Sequence, residues 1–379
     1  MQEFLTNGGV MKAELGKRIK AERERKKVSQ EKLAKAVGWN HHQIVSEIEQ
    51  GSREVKVWEL QKIANFLSVN MDVLLGNKEL SESSYVLWRK KPEQDEKLLE
   101  ARFLSECANY VWIEQTVSGS ERESAAVFEE LTLKKIDIKK FTFEDAYTLA
   151  GTIRQHMGLG DFPVTQLVGV LEDRYDIKFI VDHEDIEPSA ACSRSEKGCF
   201  IFINGRNIEP RQYFSIAHEL FHLITWDLEM LQLIDSDPKF HKKNEQLADA
   251  FAAGLLIPQE KLQSEVEKIC ASQAMGPADV IALSEQFQVS KKALLYRLLN
   301  VRLITEKQFN EIDSLLPKSP PTKTSFSVVH PLKRKFVRLV YLACEHVKIT
   351  RAKAAKLLNI DLCDLSNLFN EYGFVELNV

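Results

Sequence analysis

Phe214 to Asp227 reads FSIAHELFHLITWD, with His218 and His222 four apart and Glu219 directly after the first. Residues four apart stack on one face of a helix, so this spacing aims two imidazoles at one point and sets Glu219 beside them. Neutral imidazoles are good zinc ligands, but a catalytic zinc needs a third protein ligand and an open fourth position for water. Downstream, in NEQLADAFAAGLLIP (Asn244 to Pro258), Glu245 and Asp249 are again four apart on an otherwise apolar helical pattern. Glu245 would complete the ligand set, and Asp249, on the same face, would orient a ligating histidine through its second ring nitrogen. Taken singly, either segment reads as surface groups on an amphipathic helix; the two together favour a metal.

The chemistry such a set supports is hydrolysis. Zinc acidifies water and polarises a carbonyl, and Glu219 is turned beside the open side of the set. Tyr213, Arg297 and His346 are candidates for stabilising the oxyanion, against the plainer alternative of structural or surface roles. Cys192 stands just before CFIFIN and Cys199 opens it. A Cys192 thiolate would be an inhibitory ligand in the open position; the competing expectation is a small buried side chain.

The elements that must hold these groups follow from periodicity. From Thr142 the pattern mixes helices with DIKFIVD and CFIFIN, both rich in β-branched and aromatic residues. Two helices then carry the histidines and the Asn244–Leu256 stretch, the second stopped by Pro258. Between about Glu14 and Gly76, apolar residues recur at helical spacing, with Ser29 as an N-cap and Gly38 as a stop. With Val45 and Ile48 facing inward, His42, Gln43 and Ser46 fall on the open side. Together with His41 they are the candidates for contact with DNA, and Gln30 is placed for a phosphate. Between Met11 and Lys56, 12 Lys or Arg stand against 7 Glu, in a chain whose net charge is -4. The basic excess is local, as a phosphate-facing surface requires.

Length, at 379 residues, implies several domains. The 6 cysteines lack CxxC spacing, no signal-like apolar stretch opens the chain, and no apolar run is long enough for a bilayer. A cytoplasmic protein without a membrane role is expected.

The order of residues then carries two resemblances. SQEKLAKAVG, followed by QIVSEIEQGSREVKVWELQKIANFLSVNMDVLLG, resembles the XRE family of helix-turn-helix regulators, with a turn (GWNHHQIVSEIE) one residue longer than the usual pattern. RQYFSIAHELFHL, NEQLADAFAAGLLIP and FQVSKKALLYRL, in that order, are similar to the ImmA/IrrE metallopeptidases over about Phe143 to Leu303. The resemblance implies that His218, His222 and Glu245 bind Zn2+ and that Glu219 is the base. It implies a mainly α fold with a small β-sheet (α+β). The expected parts are a five-helix XRE-type module at 11–76, a linker and connecting helical segment at 77–141, a zincin-like domain at 142–316 and a helical C-terminal domain at 326–379. In the last, TRAKAAKLLNIDLCDLSNLF has a second helix-turn-helix-like pattern.

The expected function is a regulator that binds a double-stranded DNA operator, as a homodimer, and cleaves a protein under stress such as DNA damage. The substrate would be a helix-turn-helix repressor or this chain itself, for which Asn77–Ser84 offers a polar linker. The alternative is a non-proteolytic repressor or antitoxin-like regulator whose zinc fold is a sensor or scaffold. A general degradative peptidase would leave the DNA-binding module without a purpose.

Overall fold

The computed structural model describes residues 14–24, 28–39, 41–67, 69, 71, 74, 85–88, 96–119, 139–183, 188–195, 198–225, 234, 237–271, 274–317 and 330–374. The chain divides into two compact units, Met1–Ser84 with Gln94–Ala108, and Tyr85–Glu93 with Asn109–Val379. The expected linker Asn77–Ser84 and the stretch 318–325 between the last two expected domains lie outside the described residues.

In the first unit, α1 (residues 14–24), α2 (Gln30–Val37), α3 (Gln43–Glu49) and α4 (Val57–Leu67) enclose a core of Ile19, Leu33, Val37, Val45, Ile48, Leu60, Ile63 and Leu67. Ser29 caps α2 by accepting the Lys32 N–H at 3.1 Å. Gly38 ends α2 at φ 92°, a left-handed conformation that glycine adopts without a Cβ clash. At Gly16 a Cβ would collide with the Ile48 carbonyl, so α1 and α3 meet backbone to backbone. Beneath them, buried Glu49 accepts from Arg23 Nε at 2.6 Å, Arg23 Nη2 at 3.0 Å and Gln30 Nε2 at 2.8 Å. A buried carboxylate with fewer partners would cost more than it contributes. The fifth expected helix falls in a stretch of which only scattered residues are described.

The second unit is built on one four-stranded sheet in the order β1-β3-β4-β2, with β1 (Tyr85–Trp88), β2 (Ile177–Asp182), β3 (Ala190–Ser195) and β4 (Gly198–Asn204). β2 and β4 run parallel, and β3 is antiparallel to both β4 and β1. The strands expected at DIKFIVD and CFIFIN are β2 and β4. Every residue of β4 is buried, which is why its sequence reads as a continuous apolar run instead of an alternation. Cys192, expected just before a strand, lies inside one of its own.

Helix α5 (Glu96–Ser118) is shared between the units, its residues from Asn109 belonging to the second. The helices α6 (Phe143–Met157), α7 (Val164–Asp173), α8 (Glu209–Ile224), α9 (Pro238–Leu256), α10 (Gln259–Cys270), α11 (Pro277–Gln286), α12 (Lys291–Asn300) and α13 (Glu306–Leu315) follow in chain order in the second unit. Asp237 starts α9 by accepting the N–H of Lys239 at 2.9 Å and of Phe240 at 3.3 Å. Along α9, Gly254 faces α6 so closely that a Cβ would stand 2.9 Å from a Tyr147 ring carbon and 3.0 Å from Ala150 Cβ. That contact fixes the height of α9 relative to α6, and with it the position of Glu245 on the opposite side of the helix.

The C-terminal helices α14 (Arg334–Glu345), α15 (Arg351–Leu358) and α16 (Leu365–Glu371) gather around Val337, Val340, Ala354, Leu365 and Phe369, joined by Ile113 from α5. A buried ionic cluster ties them to the sheet. Lys178 of β2, wholly buried, pairs with Asp176 at 2.7 Å and Glu114 at 3.3 Å, while Lys335 reaches Asp176 at 3.2 Å and the Glu172 carbonyl at 2.9 Å. The pattern of α15, a left-handed Asn359 and α16 fits a helix-turn-helix outline. The exposed residues of α16 and the turn before it include Asp361, Asp364 and Glu371 and no cation. That charge does not suit a surface meeting DNA phosphates.

Candidate metal centre

α8 passes through the middle of the second unit, with Ser215 to Ile224 all buried. His218 and His222 lie one turn apart on it, and their Nε2 atoms stand 3.2 Å from each other. Glu245, from the second turn of α9, completes a triangle: its Oε2 is 3.2 Å from His218 Nε2 and its Oε1 3.2 Å from His222 Nε2. The three side chains form a group that can hold a metal ion.

Whether a zinc-like ion fits can be judged from the donors themselves. Asp249 Oδ1 lies 2.8 Å from His218 Nδ1, so that ring nitrogen carries the proton and Nε2 presents a lone pair. Two such lone pairs facing each other repel unless a cation lies between. Ligands about 2.0 to 2.1 Å from a tetrahedral zinc are about 3.3 Å apart, close to the spacing seen here. Burial alone would raise the Glu245 carboxyl, but hydrogen bonding to His218 and His222 holds it well below the usual carboxylate range. It is therefore an anionic ligand at neutral pH. The donor set fits the ion.

Glu219 sits beside this triangle, fully buried. Neither carboxylate oxygen reaches a well-formed hydrogen bond. Burial pushes its carboxyl up, against the pull of His218 and His222. The neighbouring polar group is Cys192, whose thiol is pushed well up by burial and by the Glu219 charge. Cys192 is not among the three converging donors, and its surroundings favour the thiol over the thiolate.

One contributor escaped the sequence reading. Asn244, wholly buried, places its amide 3.3 Å from His222 Nδ1. A half-turn of that amide brings Oδ1 there to accept the Nδ1–H, which leaves Nε2 free to ligate, as Asp249 does for His218. The only signal was a polar residue directly before Glu245 on an apolar helix face. Of the oxyanion candidates, Arg297 is buried, donates to the Ile257 carbonyl at 3.3 Å and stacks 4.3 Å over the Tyr147 ring, a structural position at the end of α9. His346 is exposed at the end of α14. Tyr213 lines a cavity of about 410 Å³ with Ile208, Pro210, Ile281 and Ser284.

In the first unit His41, His42 and Gln43 are exposed at the start of α3, whereas Ser46 is half-buried and accepts from Gln50 Nε2 at 3.2 Å. Gln30 directs one amide N–H inward to Glu49.

Residues 178–299 match the IrrE N-terminal-like domain of peptidase family M78, and residues 19–74 match a helix-turn-helix family. The chain joins an XRE-type helix-turn-helix to an IrrE-like domain. The IrrE-like match spans α8 and α9 and so contains all three converging donors. The helix-turn-helix match covers α2 to α4. No curated protein matches the chain. Among solved structures, a Mycobacterium tuberculosis transcriptional regulator is similar at 14% identity, over 50% of this chain and 51% of that one, with a TM-score of 0.31. The chain thus spans about half of that regulator's length, and a likeness at this level bears no weight for function. No described helix is long and apolar enough to cross a membrane.

Proposed function

We propose that this chain is a cytoplasmic DNA-binding regulator whose IrrE-like domain is a zinc-dependent endopeptidase, with the cleaved protein being a helix-turn-helix repressor or the chain itself. The observation that carries the reading is the convergence of His218, His222 and Glu245 next to a fully buried carboxylate, Glu219, that no cation among the described residues pairs with in a salt bridge and whose polar neighbour is the Cys192 thiol. A stable core gains nothing from a carboxylate there, since burying one with only a thiol beside it costs several kcal/mol.

In this reading His218, His222 and Glu245 hold zinc, which supplies Lewis acidity for the attack of water on a peptide carbonyl. Asp249 and Asn244 fix the two imidazoles in the tautomer that presents Nε2. Glu219 takes the proton from the attacking water on a carboxylate oxygen and delivers it to the leaving amine. Its raised affinity for a proton suits both halves of that exchange. His41, His42, Gln43 and Ser46 at the start of α3 read base edges, and Gln30 supports a phosphate, in a dimer that spans paired half-sites. Stress such as DNA damage is the proposed trigger.

The test uses the full chain and its Glu219→Ala variant in a bacterial host, with and without DNA damage, followed by mass spectrometry of newly formed protein N termini. A cut made only by the unaltered chain supports the proposal and identifies the substrate. Identical N termini under every condition would favour the regulator whose zinc fold is a scaffold.

A further inference from the structure

We propose that β1 occupies, in cis, the sheet edge through which the IrrE-like domain docks an extended segment of its protein substrate. The inference rests on the peptidase reading above and names how that site receives its chain.

The sheet order sets β2 at one end and β1 at the other, with β3 next to β1. The two ends are not equivalent with respect to chemistry. Cys192, inside β3, is the residue whose thiol lies against Glu219, and Arg194 of the same strand reaches the Leu223 carbonyl of α8 at 3.5 Å. β3 therefore packs across α8 beside the candidate catalytic carboxylate, and of the two ends of the sheet its side is the nearer to that carboxylate. β1 holds the outer edge of β3 now, antiparallel, with Val86 opposite Ser193, Leu87 opposite Cys192 and Trp88 opposite Ala191.

β1 reaches the sheet from a part of the chain far from β3 in sequence. It lies outside the residues that match the IrrE-like family, and the stretches on either side of it, up to Ser84 and from Gln94 to Ala108, belong to the first unit. Without it, β3 would present a row of unpaired N–H and C=O groups, the template on which extended peptides add to a sheet. Main-chain pairing of that kind gives affinity, and the side chains give selectivity. Here the pattern is specific: Leu87 packs into the main core, while Trp88 is buried against the Phe202 ring at 6.0 Å. The substrate segment that replaces β1 is thus a short β-prone run with a large aliphatic residue followed by an aromatic one. Because β1 is tethered, it competes at high effective concentration and holds the edge closed until it is drawn out.

The experiment uses the full chain without zinc, so that binding is read apart from cleavage. Val86→Pro and Leu87→Pro are made singly, since neighbouring residues of a strand alternate in which edge their N–H faces and one of the two must lose a bond to β3. The probe is a fluorescein-labelled synthetic peptide of residues 84–91, followed by fluorescence anisotropy. At least one variant binds it at least tenfold more tightly than the unaltered chain while keeping a cooperative thermal transition. A Leu87→Cys variant oxidised to link position 87 to Cys192, an opposed pair within disulfide reach, binds none until reduced. Folded proline variants that bind no better than the unaltered chain would overturn the proposal. So would loss of the cooperative transition in both, because β1 would then be an obligatory strand. Failure of the peptidase reading is separate: it shows as cleavage unaffected by Glu219→Ala, with peptide binding unchanged.

Discussion

Asn244 offers a prediction that can be worked through from distances alone. At Nδ1, Asp249 meets His218 and Asn244 meets His222, and these two partners differ in kind. Asp249 makes a charge-assisted contact at 2.8 Å, but its side chain is 51% exposed, so water can take its place when it is removed. Loss of such a partner falls at the low end of the usual range for orienting groups, about tenfold in metal affinity, or about 1.4 kcal/mol. Asn244 is neutral and its contact is longer, at 3.3 Å, but it is wholly buried. Asn244→Ala strands the His222 Nδ1–H in the interior, at a cost of about 1 to 3 kcal/mol, which corresponds to about fivefold to 150-fold weaker zinc binding. Burial therefore outweighs charge, and Asn244→Ala should weaken zinc at least as much as Asp249→Ala. Asn244→Asp keeps an acceptor on the imidazole and should retain most of the affinity. Competition for zinc against a chromophoric chelator measures all three, with apo-protein melting as a check on folding. If a folded Asn244→Ala protein binds zinc as tightly as the unaltered chain, the assignment of Asn244 as the group that sets the His222 tautomer is wrong.

Further outcomes follow from the same geometry. Glu49→Ala leaves Arg23 and Gln30 without their buried partner, which should cost about 3 to 5 kcal/mol and abolish DNA binding through unfolding of the first unit, as seen by thermal melting together with a gel-shift assay. Glu172 is raised from 4.5 to about 7 by burial, against the pull of Lys335. The folded chain thus keeps a proton that the unfolded chain has released, and stability should fall as pH rises through that window. Glu172→Gln should then stabilise the second unit above pH 7 by about 3 kcal/mol at most and change little near pH 4, measured by denaturant unfolding at the two pH values. Replacing His42 and Gln43 with Ala should weaken operator binding without shifting the melting temperature, since both are exposed; a shift in stability without loss of binding would remove them from the interface.

Much of the site is local in sequence, and that is why it was legible. The four-residue spacings of His218 with His222 and of Glu245 with Asp249 translate directly into shared helix faces, and the structure brings these groups together. Ser29 and Gly38 act as the cap and stop that their side chains suggest. β2 and β4 were visible because buried strands concentrate Ile, Val and Phe. What escaped depended on partners distant in the chain. β1 is four residues long, and only its pairing with β3, far along the sequence, makes it a strand. β3, AACSRS, has little β-propensity of its own and is held between two neighbours. Lys178 reads as an outward-facing strand residue, yet it is wholly buried because Asp176 and Glu114 meet it inside. Asn244 looked like any polar helix residue until the rotation of α9 set it against His222.

The central claim is that His218, His222 and Glu245 hold zinc for a reaction in which Glu219 moves the proton. The most direct measurement is zinc content and peptide-bond cleavage in parallel, on the purified full chain, Glu219→Ala and His222→Ala, against the substrate found by N-terminal mapping. The account predicts one bound zinc and cleavage for the unaltered chain, one zinc with cleavage lost for Glu219→Ala, and loss of both for His222→Ala. Cleavage that persists in Glu219→Ala, or zinc that remains at full affinity in His222→Ala, would contradict it.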